Sequence, residues 1–155
     1  MLNILYERFL TGRPALGLLL FRLVTGGALI LHGSTKIVHP FSWMPGGAVP
    51  GILQFASAFA EFFGGMAIVL GLLTPLACIL VAINMLVAIF IAHVPHGAVW
   101  VGKNSFEPAL GYLAAAVMLF LTGPGVYSVD AKIFGNRLGR TPRGASQRET
   151  VSSVI

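Results

Sequence analysis

Three residues that carry charge or a hydrogen-bonding amide, Arg22, Glu61 and Asn84, lie inside long apolar runs, while His32, Lys36, His93 and Glu107 lie at the ends of such runs. In water these types would be unremarked surface residues. In lipid an unpartnered charge is costly, so such residues face the inside of a bundle and mark binding or proton-transfer sites. The chemistry open to them is proton exchange at Glu61, His32 or His93, and hydrogen bonding to a ligand oxygen from Arg22, His32 or Lys36. Arg22, Glu61, His32 and His93 are therefore the candidate catalytic residues. Arg22, His32, Lys36, Glu61, Asn84 and Glu107 are the candidate ligand-binding set. Cys78 is the sole cysteine, which excludes an intrachain disulfide, a CxxC redox pair and a cysteine-based zinc site. His93 and His96 have ligand spacing without an acidic or cysteine companion nearby, so no metal site is assigned.

The elements that must hold these residues are set by composition. The chain has 155 residues, 56% of them hydrophobic and 10% charged, against about 25% charged for an ordinary soluble domain. That excludes a water-soluble enzyme and points to a single polytopic membrane domain. Apolar stretches over residues 15–33, 52–73, 76–94 and 106–122 predict four transmembrane helices in an all-α antiparallel bundle. Thr74-Pro75 joins the second to the third, and GPG from Gly123 to Gly125 ends the fourth. Residues 34–51 are rich in proline and glycine, with Phe41 and Trp43, which suits an interfacial loop. The membrane domain spans 1–130, and 131–155 form a basic, flexible tail.

Charge distribution orients the spans. Arg8, Arg13, Lys132, Arg137, Arg140, Arg143 and Arg148 fall on the side of the termini, and only Lys36 and Lys103 on the other. The positive-inside rule places both termini in the cytoplasm. The basic tail then reads as a topology and lipid-headgroup signal rather than a nucleic-acid patch. His32, His39, His93, His96, Lys36, Trp43, Trp100, Lys103 and Glu107 gather on the extracytoplasmic face.

Depth and helical phase give contact expectations. Arg22 lies about 10 Å into the hydrocarbon from one side and Glu61 about 14 Å from the other, a difference in level of about 6 Å in a 30 Å core. Arg22 and Glu61 are thus expected to pair, either as a structural ion pair or as part of a site. Arg22, Thr25 or Gly26, Leu29, His32 or Gly33, and Lys36 share one face, and Gln54, Ser57 or Ala58, Glu61, Gly64 or Gly65, Ile68 and Gly71 another. Stripes of small residues like these let membrane helices approach closely. Asn84 and His93, nine residues apart, fall on nearly opposite faces unless Pro95 distorts the helix end. The bland reading of His32 is an interfacial histidine bonded to a carbonyl.

The ordered motifs FRL at Arg22, LHGSTK from Leu31 to Lys36, AEFFGG from Ala60 to Gly65, GLLTP from Gly71, NMLVAIFIAH from Asn84 to His93 and LTGPGVYSVD ending at Asp130 resemble the DoxX family of small four-helix bacterial membrane proteins. The resemblance covers roughly Leu16 to Asp130. It implies a multi-pass protein of the bacterial plasma (inner) membrane taking part in quinone-linked oxidation, the family being named after a component of a thiosulfate:quinone oxidoreductase. A quinone would be the ligand and a separate redox protein the electron source, with no haem, flavin or nucleotide signature, so the subunit is not expected to act alone. A homo-oligomer fits as well. Two other functions stay open at this point: a non-catalytic scaffold or assembly partner of a redox or stress-response complex, and a small-molecule or proton carrier.

Overall fold

The computed structural model describes residues 9–44, 46, 49–97, 99–102 and 105–138. Its elements are all helical. α1 spans Gly12–Ile37, α2 Gly51–Leu70, α3 Thr74–Val87, α4 Glu107–Thr122 and α5 Val129–Leu138. α3 runs on without a break as six residues of π-helix, Ala88–His93, and a 3-10 turn, Val94–His96. Among the described residues there is no strand, only a lone bridge between Val99 and Ser105.

Three helices, Gly12–Ile37, Gly51–Leu70 and Thr74–His93, are long and apolar enough to cross a membrane, and α4 is shorter at 16 residues. At 1.5 Å per residue α1 is about 39 Å long and α4 about 24 Å, against a hydrocarbon core of about 30 Å. α1 also runs to Ile37, four residues past the expected end at Gly33, so the start of the expected loop is helical. α5 likewise occupies the first part of the expected flexible tail. The remainder of that tail, 139–155, lies outside the described residues.

Local chemistry explains the boundaries. α2 ends at Gly71, whose φ of +63° is open to glycine without strain. There the Leu72 amide donates to the Ala67 carbonyl at 2.9 Å and the Gly71 amide to that of Ile68 at 3.1 Å, the paired bonds of a Schellman motif. Proline near the start of α3 and of α4 removes an amide that the first turn could not use.

The α1–α2 contact is the most extensive, α3–α4 and then α2–α3 follow, and α1 and α4 barely meet. Small residues set the closest approach. A Cβ added at Gly33 would lie 2.5 Å from the Phe62 amide nitrogen, and one at Gly26 would lie 2.8 Å from the Gly65 carbonyl oxygen. Leu29, Ile68, Val81, Met85 and Leu119 fill the interior. Large apolar side chains such as Val24, Leu31, Leu76 and Leu121 point outward, the inversion expected when the solvent is lipid.

Overpacking of this kind costs about 1–3 kcal/mol. Gly33→Val is accordingly expected to lower the thermal unfolding midpoint of the detergent-solubilised protein. Gly27→Ala, where an added Cβ meets nothing within 4 Å and alanine is the better helix former, is expected to hold or raise it.

Candidate functional site

The α1–α2 contacts fix a register. Gly26 lies against Val69, Ile30 against Gly65 and Gly33 against Phe62, so each step up α1 matches an equal step back along α2. Carried on, Arg22 falls opposite Leu73, beyond the end of α2, and Lys36 falls opposite Phe59, beside Glu61. The expected Arg22–Glu61 pair is therefore not formed. The two groups sit about 18 Å apart along the helix axis, twelve residues of rise. The depth estimate erred because it started both helices at the membrane edge, whereas α1 overhangs α2 at its N-terminal end.

Arg22 is instead tied to backbone. Its guanidinium donates to the carbonyls of Pro124 at 2.5 Å, Tyr127 at 2.7 Å and Val69 at 3.4 Å, and the side chain is fully buried. Gly71 leaves the space for it: a Cβ there would stand 2.7 Å from an Arg22 nitrogen. Beside it Asp130, also fully buried, accepts from the amides of Leu73 at 2.7 Å and Thr74 at 2.8 Å. This carboxylate caps α3 from 56 residues away in sequence. Arg22 thus serves the architecture and lines neither of the two clefts that flank Lys36.

Glu61 is buried at the other end, and its partner is Lys36. Lys36 Nζ stands 2.6 Å from Glu61 Oε1, the one salt bridge among the described residues. The same oxygen accepts from Asn84 Nδ2 at 3.2 Å and, weakly, from Ser57 Oγ at 3.5 Å. Glu61 Oε2 is buried with no hydrogen-bond donor. Lys36 Nζ also lies 4.5 Å from the ring centroid of Trp43, whose indole N–H donates to the Gln54 carbonyl at 2.9 Å. Gln54 in turn accepts from the Met44 amide and donates to the Val49 carbonyl, both at 2.9 Å. These bonds fasten the loop after α1 over the ion pair.

Two clefts flank the pair. One, of about 340 Å³, is lined by Trp43, Leu53, Ser57 and Asn84 together with Lys36, Ala88 and His93. The other, of about 260 Å³, is lined by His32, Glu61, Met85 and Tyr112 with the same Lys36, Ala88 and His93. His32 meets Tyr112 edge to face at a centroid distance of 5.9 Å. Asn84 and His93 thus share a wall, the outcome that regular helical phase disfavours. The π-helical segment from Ala88 to His93 turns less per residue and brings His93 round onto the side of Asn84. Pro95 supplies the cause: it has no amide, and its ring would crowd the Ile91 carbonyl in a regular turn.

The candidate residues therefore divide. Lys36, Glu61, Asn84, His32 and His93 come together; Arg22 and Glu107 do not. Glu107 is exposed at the start of α4, where its amide donates to Ser105 Oγ at 3.0 Å. The side chain of His96, and Lys103, lie outside the described residues. Pairing of Lys36 with Glu61 escaped the spacing argument, although Gly33, one turn before Lys36, marks where α2 comes closest.

Residues 17–94 match the DoxX family model. The chain belongs to the DoxX family. That match includes Lys36, Glu61, Asn84 and His93 and stops before Tyr112. A Haemophilus influenzae protein, named only "Uncharacterized protein", is 31% identical over 123 residues, covering 73% of this chain and 87% of the relative. The "Putative oxidoreductase CatD" of Bacillus subtilis is 29% identical over 126 residues, 77% of this chain and 88% of the relative. The Escherichia coli "Inner membrane protein YqjF" is 33% identical over 88 residues, 57% of this chain and 67% of the relative. No solved structure matches the chain.

A double-mutant cycle read by unfolding in mixed micelles checks these pairings. Lys36→Met and Glu61→Gln are expected to couple by about 0.5–3 kcal/mol, as contacting groups do. Arg22→Gln and Glu61→Gln are expected to add to within about 0.5 kcal/mol. Coupling of the second pair equal to the first would overturn the register.

Proposed function

We propose that this DoxX protein is the membrane subunit of a quinone-linked oxidoreductase, with the ring held beside Lys36 and Glu61. The observation that carries the reading is the ion pair itself. A cation, a carboxylate and an imidazole meet at the junction of two clefts within the bundle. Intramembrane ionisable groups of this kind mark ligand or proton sites by default. The donor set suits a quinone, which needs hydrogen-bond donors at its carbonyl oxygens and a proton source nearby. Lys36 Nζ is the donor, His32 or Tyr112 a second one, and Trp43 closes the side above Lys36. Glu61 and His93 hold and pass protons, and the donorless Oε2 of Glu61 is a position where a proton can reside. When bound, a quinone supplies a two-electron, two-proton couple whose electrons come from a separate redox protein. A relative carrying the name "Putative oxidoreductase CatD" supports this class of activity.

The reading includes a topology. α4 forms a fourth, short span, both termini face the cytoplasm of a bacterium, and the chain resides in the inner membrane. Seven of the ten Lys and Arg residues on the terminal side support that orientation, and the name of the Escherichia coli relative supports that membrane. The Arg22 end is then cytoplasmic, and the clefts beside Lys36 open to the extracytoplasmic side.

The test is solvent extraction and mass spectrometry of protein purified in mild detergent. Wild type is expected to carry near-stoichiometric quinone and folded Lys36→Met at least roughly tenfold less, the loss of one charge-assisted hydrogen bond. Glu107→Gln, whose exposed side chain lines neither cleft, is expected to match wild type. Equal background quinone in all three would sink the proposal.

A further inference from the structure

The seam between α1 and α4 is open where the other helix pairs are closed. A groove of about 630 Å³ runs along it, walled by Phe21 and Ala28 from α1 and by Gly111, Ala114 and Met118 from α4, with no charged side chain among the described residues. Pro108 and Tyr112 line this groove and also the 260 Å³ cleft that holds Lys36 and Glu61. Groove and polar cleft are therefore two sides of one wall. The geometry points to a site for an amphiphile, its polar ring beside Lys36 and its long flexible hydrocarbon chain in the α1–α4 groove. Resting on the reading above, this names the ligand as a quinone with an isoprenoid tail rather than a tailless ring.

Continuity and composition favour a flexible tail in the groove, which shares Pro108 and Tyr112 with the cleft that holds Lys36 and Glu61. An apolar chain needs no hydrogen-bond partners, and the wall provides few: Thr25 and Tyr112 are its polar side chains among the described residues. Small residues at 28, 111, 114 and 115 make the trough, and Phe21 and Met118 pack its floor and rim. Tyr112 stands between groove and cleft, its ring edge to face with His32.

The experiment uses the full chain in nanodiscs of one lipid composition and two quinones with the same ring, one with a long isoprenoid tail and one without. Two variants fill the groove from opposite walls: Gly111→Leu, where an added Cβ meets nothing within 4 Å, and Ala28→Leu. Comparison with wild type in the same bilayer cancels partitioning of the tail into lipid. Both variants are expected to weaken the tailed quinone roughly tenfold or more and to hold the tailless one within about twofold. If the variants bind both quinones as wild type does, the groove assignment falls while the ring site stands. Equal loss of both ligands also overturns it, since the groove then acts on the ring or the fold and not on the tail. If a groove variant instead splits a wild-type oligomer, seen as a drop in particle mass, the occupant is a second copy and the tail assignment falls. If wild type binds neither quinone, the ring reading fails and the groove assignment with it.

Discussion

The close approach of α1 to α2 is the constraint on which the rest of the structure depends. In lipid no hydrophobic force drives two apolar helices together, so association rests on van der Waals fit and on polar groups that find partners. Gly26, Gly33 and Gly65 let the backbones touch, and a Cβ at any of these positions would stand 3 Å or less from the facing helix. Because backbone meets backbone, the pairing has one register, and every polar residue on the two facing stripes inherits its neighbour from it. Lys36 meets Glu61 for this reason and Arg22 does not.

What Arg22 does instead follows from its place beyond the end of α2. Three carbonyls there, those of Val69, Pro124 and Tyr127, have left the regular hydrogen-bond ladder of a helix, and a buried carbonyl without a donor is costly. One guanidinium with five N–H groups in a fixed fork answers all three. Asp130 does the complementary work for orphaned amides at the start of α3. The bundle thus has one end in which buried charges close the backbone, and another in which a charge pair stands beside open space. Charges of the first kind satisfy backbone groups; those of the second line clefts.

Much of this could be read from residue order alone. The all-helical membrane fold, the glycine stripes of α1 and α2 and a tight turn between the second and third spans follow from hydropathy, period and proline chemistry. The turn itself falls at Gly71 to Leu73, and the expected link, Thr74-Pro75, is instead the start of α3. Lys36, Glu61, Asn84, His32 and His93 are also legible as candidates, because ionisable or amide groups are rare in such a chain. What could not be read is anything that depends on where a neighbouring helix ends. Arg22 and Glu61 look matched in depth only if all helices are given the same borders, and the overhang of α1 breaks that assumption. Asp130 gave no signal either, since a carboxylate that caps a helix 56 residues earlier in the chain leaves no local pattern.

The π-helical turn shows how a local irregularity can decide a site. With regular phase Asn84 and His93 would lie on nearly opposite faces of α3 and would not share the wall of the 340 Å³ cleft. Pro95 prevents that phase, because the turn before it must widen to keep the ring off the carbonyl of Ile91. The widening covers Ala88 to His93, the stretch in which Ala88 and His93 become wall to both clefts at once. Ala88 matters by being small, since a bulkier side chain would fill the space on either side of Lys36. The residue that ends the third span is therefore also the one that delivers its histidine to the ion pair, and the family match, which stops at residue 94, ends at the last turn of that arrangement. Tyr112 completes the 260 Å³ wall from α4, beyond the residues of that match.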